Sequence, residues 1–169
     1  MNIIIRDAQI EDLERLTELK KPIALHRDRI KEADNEHFRY LVLEIGGEIQ
    51  AFTCLVFKQP TSWPTQEHAV EHPRIVDLFV NEQIRTRGLG SRFMQKIELI
   101  LKKNGYEKLF LSVDPIDNPK AHKFYKKLGY QDIQSKPFRC RWEFTDSDGN
   151  KHEGNEWNID MFKNLKQNQ

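Results

Sequence analysis

The chain has 169 residues, of which 38% are hydrophobic and 31% are charged, and its net charge is +1. This length predicts one domain with its own core over residues 1–169, and the near-neutral charge argues against a protein that binds nucleic acid or membranes through its overall field. The sequence shows no membrane-spanning run, no signal-peptide form at its start and no metal-type spacing of its two cysteines, so we expect a cytoplasmic protein with free thiols.

The first half of the chain predicts short strands around a pair of helices. Leu13, Leu16 and Leu19 recur at helical spacing, and Pro22 ends that helix before a second helical segment. Two apolar segments joined at Gly46-Gly47 are typical of a β-hairpin. The predicted elements are a strand at 3–6, helices at 10–19 and about 23–35, strands at 38–45 and 48–57, and a proline-bounded loop at 58–73.

The second half predicts two strand–helix units followed by a long antiparallel hairpin. Apolar runs at 75–80 and 108–113 are typical of buried strands, and a segment of helical periodicity follows each of them. Asn118 and Pro119 suit the N-cap and first position of the second helix, and Gly129 suits its end. Beyond it, apolar and polar residues alternate on both sides of a turn signal at 148–149. The alternating apolar residues are Phe138, Cys140, Trp142, Phe144, Trp157, Ile159 and Met161.

The loop between the strand at 75–80 and the next helix is the most informative segment of the chain. Its sequence is RTRGLGS at residues 85–91. A strand, a basic loop with glycines and a helix start form a phosphate-binding arrangement, because glycines let the backbone approach the ligand and free N–H groups point at it. The loop lacks the lysine of a Walker loop and the third glycine of a dinucleotide fingerprint. By itself it could also be a glycine-rich helix start with solvated arginines.

Two linked segments resemble the GNAT superfamily of N-acetyltransferases. The R-x-x-G-x-G pattern after Leu78-Phe79-Val80 resembles its motif A, and the helix from Asn118 to the Leu128-Gly129-Tyr130 ending resembles its motif B. The predicted order, β-α-α-β-β-β-α-β-α-β-β, is also similar to that of the family. The resemblance implies an α/β fold with a mixed sheet of about seven strands between helices, in which the fourth and fifth strands are parallel and splay apart. It implies acetyl-CoA as co-substrate and a primary amine of a small molecule or peptide as acceptor.

The resemblance also implies roles for individual residues in holding acetyl-CoA and in catalysis. Tyr125 would protonate the leaving thiolate, although helical spacing without the family pattern favours a core aromatic. Backbone N–H groups near Phe79 and Val80 would meet the thioester and pantetheine, and Asn118 would hydrogen-bond the cofactor arm. The pyrophosphate would be held by the loop, through Arg85, Arg87, Gly88, Leu89, Gly90 and Ser91.

Asp77 is the candidate for handling the proton of the acceptor amine. The segment at 76–80, VDLFV, resembles the diamine and polyamine acetyltransferase branch, which has an acid where this chain has Val76. A polyamine-like acceptor is therefore one possibility, and the acids Glu32, Asp34 and Glu36 would favour a cation if they line the acceptor pocket rather than a solvated face. Asp77 could instead accept backbone hydrogen bonds, with deprotonation running through water.

Three further hypotheses follow from the sequence. The segment at 68–72 has the H-x-x-E-H form of a class of zinc peptidases, but His72 precedes Pro73, which disfavours helical geometry, so we expect a solvated loop and no metal. A non-catalytic acyl-CoA-binding sensor is the alternative to an enzyme, and the presence of Tyr125 disfavours it. The apolar faces of the C-terminal hairpin, with Trp142 and Trp157, predict a homodimer contact or a wall of the acceptor site.

Overall fold

A computed structural model describes residues 2–61, 63 and 71–166 of the chain. In this part of the chain a mixed sheet runs in the order β1-β2-β3-β4-β5-β8-β6, and β7 pairs with β8 beside it. This arrangement confirms the predicted α/β class. The strands are β1 Ile3–Asp7, β2 Phe38–Ile45, β3 Glu48–Val56, β4 Arg74–Val80, β5 Lys108–Val113, β6 Gln131–Asp132, β7 Phe138–Thr145 and β8 Lys151–Asn164. The helices are α1 Leu13–Leu19, α2 Ile23–Glu32, α3 Leu89–Lys103 and α4 Pro119–Lys127, with 3-10 helices at Ile10–Asp12 and Glu82–Arg87.

The two faces of the sheet carry separate apolar cores. On one face, α3 and α4 cover the central strands, and the fully buried residues Phe93, Ile97 and Leu101 of α3 repeat at the spacing of a helix with one apolar side. On the other face, α1 contributes Leu16 to a cluster with Phe52 and other buried residues of β2 and β3. The alternation of side chains along each strand therefore decides which of the two cores a residue joins.

Strands β4 and β5 are parallel but separate early. Their register includes only Arg74 with Phe110 and Ile75 with Leu111, so residues 76–80 have no partner on the β5 side. The opposite edge of β4 stays paired with β3, across a bulge that places Asp77 at a left-handed φ of 56°. We call the opening between residues 76–80 and the end of β5 the β4–β5 gap. It agrees with the splaying that the family resemblance implies.

The long strand β8 connects the sheet to a projecting hairpin. Its second half pairs with β5, while its first half pairs with β7 from Phe138↔Asn158 to Thr145↔Lys151. The tip of this hairpin returns to α2, where Arg27 Nη1 lies 2.8 Å from Asp148 Oδ1 and the Ser147 N–H donates to Asp28 Oδ2 at 3.0 Å. The hairpin therefore arches over the sheet face that α1 and α2 occupy.

Three details differ from the sequence prediction, and each has a local cause. The first helix begins with a 3-10 turn, because the Asp12 carboxylate accepts the Gln9 N–H at 2.8 Å. The second helix ends at Glu32 rather than near 35, since Ala33 is already extended and Asn35 adopts a φ of 64°. The two-residue strand β6 was not predicted, because two residues carry no detectable periodicity.

Candidate active site

The bulge in β4 places the Asp77 carboxylate in a largely buried ionic cluster. Asp77 Oδ1 accepts a hydrogen bond from Lys20 Nζ at 2.6 Å, and its Oδ2 accepts one from Arg29 Nη1 at 2.8 Å. A positive φ is uncommon for a residue other than glycine, though aspartate tolerates it better than most, and such strain is typical of functional sites. We call Lys20, Arg29 and Asp77 the ionic cluster. It brings together the segment after α1, helix α2 and strand β4.

The ionic cluster holds Asp77 firmly in its charged form. Burial opposes the negative charge, but the positive charges of Arg29 and Lys20 and their hydrogen bonds outweigh it, so the pKa of Asp77 falls to about 2. A carboxylate with this pKa is a weak proton acceptor at neutral pH. Its basic partners were not singled out from the sequence, because Lys20 and Arg29 lie 57 and 48 residues from Asp77.

Polar groups around the ionic cluster form a buried network without charge. His26 Nε2 donates to the Lys20 carbonyl at 2.5 Å, so in the neutral ring Nδ1 accepts the hydrogen bond of the Tyr40 hydroxyl at 2.6 Å. Burial lowers the pKa of His26 and raises the pKa of Tyr40, so both stay neutral near pH 7. Burial also raises the pKa of the Cys54 thiol to about 12. The Arg29 guanidinium lies over the Tyr40 ring, 5.6 Å from its centroid.

Tyr125 lies on α4 with its ring in the core, and the charge of Asp77 at the gap affects its pKa. Its side chain is almost fully buried and touches the rings of Phe124 and Tyr130 at 5.1 and 5.8 Å between centroids. Burial, followed by the negative charge of Asp77, raises the pKa of Tyr125. No hydrogen bond to its hydroxyl is present among the described residues. Tyr125 is thus both a core aromatic and a neutral O–H donor near the ionic cluster.

The predicted phosphate loop forms a break between a 3-10 helix and α3. Gly88 adopts a left-handed φ of 73°, and a Cβ at this position would meet no atom within 4 Å, so the surface above it is open. Gly90 serves a different purpose, because a Cβ there would lie 3.2 Å from the Phe124 ring. The first glycine therefore turns the chain, and the second lets α3 approach α4. The helix start leaves N–H groups for an anion.

The other predicted cofactor residues lie on the loop, at the end of β4 and at the start of α4. Arg85 donates from Nε to the Val80 carbonyl at 2.9 Å and lies over the Phe79 ring, so part of its guanidinium fastens the loop to the end of β4. Arg87 is exposed on the loop. Asn118 caps α4 as predicted, accepting the Ala121 N–H at 3.3 Å. Arg85 thus joins the loop to the end of β4, and the close approach at Gly90 brings α3 against α4.

Strand β8 contributes a further set of polar residues that the sequence did not identify. Ile159 and Met161 belong to the core under α3 and α4, so Glu156 and Asp160, which alternate with them, face the side of the ionic cluster. Asp160 accepts the Ser112 hydroxyl at 2.7 Å. Burial, followed by the charge of Asp114 at the end of β5, raises the pKa of Glu156. Although Asp160 also interacts with the buried Arg74 guanidinium, the three acids Asp114, Glu156 and Asp160 give the β5–β8 side of the gap a net negative charge.

The remaining sequence candidates lie apart from the gap. Glu32 accepts a hydrogen bond from Trp63 Nε1 at 3.2 Å. Hydrogen bonds from the His37 backbone and ring lower the pKa of Asp34 to about 2, and both side chains are exposed. Most of the H-x-x-E-H segment falls outside the described residues. Within the described residues, no three His, Cys, Asp or Glu side chains are grouped to hold a metal ion, and no helix has the length and apolar character of a membrane span.

Comparison with solved structures shows which fold this is. The ribosomal-protein-S18-alanine N-acetyltransferase from Escherichia coli superposes with a TM-score of 0.64 at 16% identity, covering 99% of this chain and 97% of that one. An N-acetyltransferase from Staphylococcus aureus Mu50 superposes with a TM-score of 0.66 at 18% identity, covering 98% of this chain and 100% of that one. An aminoglycoside 6'-N-acetyltransferase complexed with coenzyme A superposes with a TM-score of 0.60 at 14% identity, covering 98% of this chain and 99% of that one.

The sequence comparisons add the family. No curated protein sequence matches the chain significantly. The family model described as the acetyltransferase (GNAT) family matches residues 5–130, a range that contains the ionic cluster, the phosphate loop and Tyr125. Together with the shared fold, this match confirms the resemblance found in the two sequence motifs: the chain belongs to the GNAT family of acetyltransferases.

Proposed function

We propose that the protein transfers the acetyl group of acetyl-CoA to a primary amine of a small molecule or a peptide, at the β4–β5 gap. The observation that supports this most is the early separation of β4 from β5 beside a glycine-bearing helix start. The residues around the opening fit acetyl-CoA, because the open surface over Gly88 and the N–H groups at the start of α3 suit a pyrophosphate. The residues that would hold it are Phe79, Val80, Arg85, Arg87, Gly88, Leu89, Gly90, Ser91 and Asn118.

The proposed chemistry assigns a separate task to each side chain near the gap. Acetyl-CoA supplies the acetyl group as a thioester, whose carbon is open to attack by a neutral amine. Tyr125 keeps its proton because its pKa is raised, and its Oη is the proposed donor toward the leaving sulfur. Backbone N–H groups near Phe79 and Val80 are the proposed donors to the developing oxyanion. Asp77, with a pKa of about 2, contributes by holding Lys20 and Arg29, and the proton of the amine leaves through water.

The test is an acceptor screen that follows release of free CoA, combined with calorimetry of acetyl-CoA binding. We expect binding of acetyl-CoA and turnover with at least one class of primary amine, whether a polyamine, an amino acid or a peptide N-terminus. Binding without turnover for every acceptor would favour the non-catalytic sensor. Failure to bind acetyl-CoA would remove the assignment of the site.

Several finer expectations stay predictions. The polyamine-like acceptor follows only from the local resemblance at 76–80, and a polyamine would have to compete with Lys20 and Arg29 for Asp77. For the hairpin, the contacts of its tip with α2 support a wall of the acceptor site, and the homodimer is testable by sedimentation. A cytoplasmic location and a single domain over residues 1–169 are also predictions.

A further inference from the structure

The ionic cluster carries more positive than negative charge. Two cations, Lys20 and Arg29, share the single carboxylate of Asp77. The exposed fraction of the Arg29 side chain is 11% and that of Asp77 is 21%, so solvent screens the cluster only partly. An unbalanced charge in such a place is costly, because burial removes the water that would otherwise solvate it. A bound anion would lower this cost.

The described groups that pack against the ionic cluster do not supply a second negative charge. His26, Tyr40 and the Cys54 thiol are neutral near pH 7, as described above. Tyr125, which senses the charge of Asp77, is neutral as well. Glu18 on α1 is paired with Arg15 at 2.9 Å, and Asp28 on α2 accepts the Ser147 N–H at 3.0 Å. The excess positive charge therefore remains on the α1–α2 side of the gap.

The cations of the ionic cluster retain donors for a ligand. Among the described residues, the Lys20 ammonium donates one of its three N–H bonds, to Asp77, and its side chain is 38% exposed. Arg29 bonds Asp77 through Nη1 and also has Tyr40 as a side-chain partner, and the rest of its five N–H groups form a planar fork that suits a carboxylate. Across the gap, Asp114, Glu156 and Asp160 stand against the Arg74 guanidinium, which interacts with Asp160, so the β5–β8 side carries a net negative charge. The two sides of the gap thus differ in the sign of their charge.

We propose that the acceptor is an amino carboxylate, whose carboxylate binds Lys20 and Arg29 while its amine lies toward the acidic side of the gap. This inference rests on the proposed function, since it places the acceptor at the same gap. A short distance between the two charged groups, as in an α-amino acid, matches a site in which the ionic cluster and Tyr125 are neighbours. A polyamine, with no anionic group, would meet two like charges at the cluster.

Matched pairs of acceptors test the proposal directly. Phenylalanine and phenethylamine, or lysine and cadaverine, differ only in the carboxylate. We expect kcat/KM to be about 10-fold to 100-fold higher for the amino acid of each pair, the effect of a charge-assisted hydrogen bond. Equal values, or a preference for the amine without a carboxylate, would overturn the proposal.

The variant Lys20→Met separates recognition from folding. It leaves Asp77 paired with Arg29, so the protein is expected to fold, and the preference for the carboxylate is expected to fall about 10-fold with the acetyl-CoA KM unchanged. Lys21→Met is the matched control, because Lys21 is the exposed neighbour outside the cluster. If the ratio of kcat/KM between the amino acid and the amine of each pair is unchanged in Lys20→Met, the role of the cluster is overturned.

Binding measurements keep this inference distinguishable from the proposed function. Calorimetry with the CoA complex of the protein measures acceptor binding without turnover. Selective binding of amino carboxylates in a protein that releases no CoA would contradict the enzyme proposal and support the acceptor class. Turnover of amines with no binding preference for the carboxylate would support the enzyme proposal and contradict the acceptor class.

Discussion

The phosphate loop and the ionic cluster lie at the same gap but are built in opposite ways. The loop consists of consecutive residues, 85–91, and its shape depends on Gly88, whose φ is 73°. The ionic cluster joins residues that are 48 and 57 positions apart, and its shape depends on the bulge at Asp77. The comparison teaches that one candidate site can combine two kinds of element. The shape of the loop depends mainly on its own residues, whereas the shape of the ionic cluster depends on how the whole fold packs.

Tyr125 lies between the two regions, and its loss is expected to have the largest effect on catalysis. Tyr125→Phe keeps the ring contacts with Phe124 and Tyr130 but removes the hydroxyl. We expect kcat to fall by about 10²–10⁴-fold while acetyl-CoA binding and thermal stability change little. Steady-state kinetics on the folded variant checks this. A wild-type kcat would reduce Tyr125 to a core residue.

Asp77→Asn is expected to break the ionic cluster and leave the loop intact. Removing the carboxylate leaves the largely buried Arg29 and the partly exposed Lys20 without their anion, which costs about 3 kcal/mol in the free energy of unfolding at pH 7. Acetyl-CoA affinity should remain close to that of the wild type. Urea unfolding and calorimetry measure the two effects, and a variant as stable as the wild type would contradict the importance of the cluster.

The pH dependence of stability gives a second measure of the same cluster. The folded pKa of Asp77 is about 2 and its ordinary value is 3.8, so its stabilising contribution is complete above pH 4 and is lost as the pH falls through 2. The shift corresponds to about 2 kcal/mol. The difference in unfolding free energy between wild type and Asp77→Asn should therefore narrow between pH 4 and pH 2, and a difference that stays constant over this range would refute the shift.

Gly88→Glu is the converse change, expected to damage the loop and spare the cluster. A glutamate at a positive φ costs about 1 kcal/mol of strain, and its negative charge would face the pyrophosphate. We expect acetyl-CoA affinity to fall by at least about 10-fold in calorimetry. Gly88→Asn is the matched control, because asparagine tolerates this backbone conformation and adds no charge. Equal affinities for both variants and the wild type would move the cofactor elsewhere.

The contact between the hairpin tip and α2 is expected to give the smallest effect. Arg27 and Asp148 form an exposed ion pair at 2.8 Å, and such pairs contribute little to the free energy of unfolding because water and salt screen them. Arg27→Met should therefore leave the free energy of unfolding nearly unchanged. If the hairpin forms a wall of the acceptor site, the acceptor KM rises while the acetyl-CoA KM does not. An unchanged acceptor KM would speak against the wall.

Much of the fold could be predicted because its signals are short in range. The strand at Lys108–Val113 and the cap at Asn118 follow from residues that are neighbours in sequence. The two-residue strand β6 and the end of α2 could not be predicted, since both depend on contacts outside the segment. In the candidate site, Tyr125 and the loop carry family patterns, whereas Lys20, Arg29 and Glu156 carry none.

The sequence by itself determined the order of the elements, the glycine loop at a helix start and the family, because periodicity, capping and glycine spacing act over a few residues. Only the tertiary structure decided which charged groups surround Asp77. Its sequence context suggested an acid able to attract or deprotonate an amine, but the packing of α2 and the end of α1 against β4 gives it two cationic partners. The physical reason is that an electrostatic interaction depends on the distance between the charges and on their burial. Both quantities are determined by residues that are far apart in sequence.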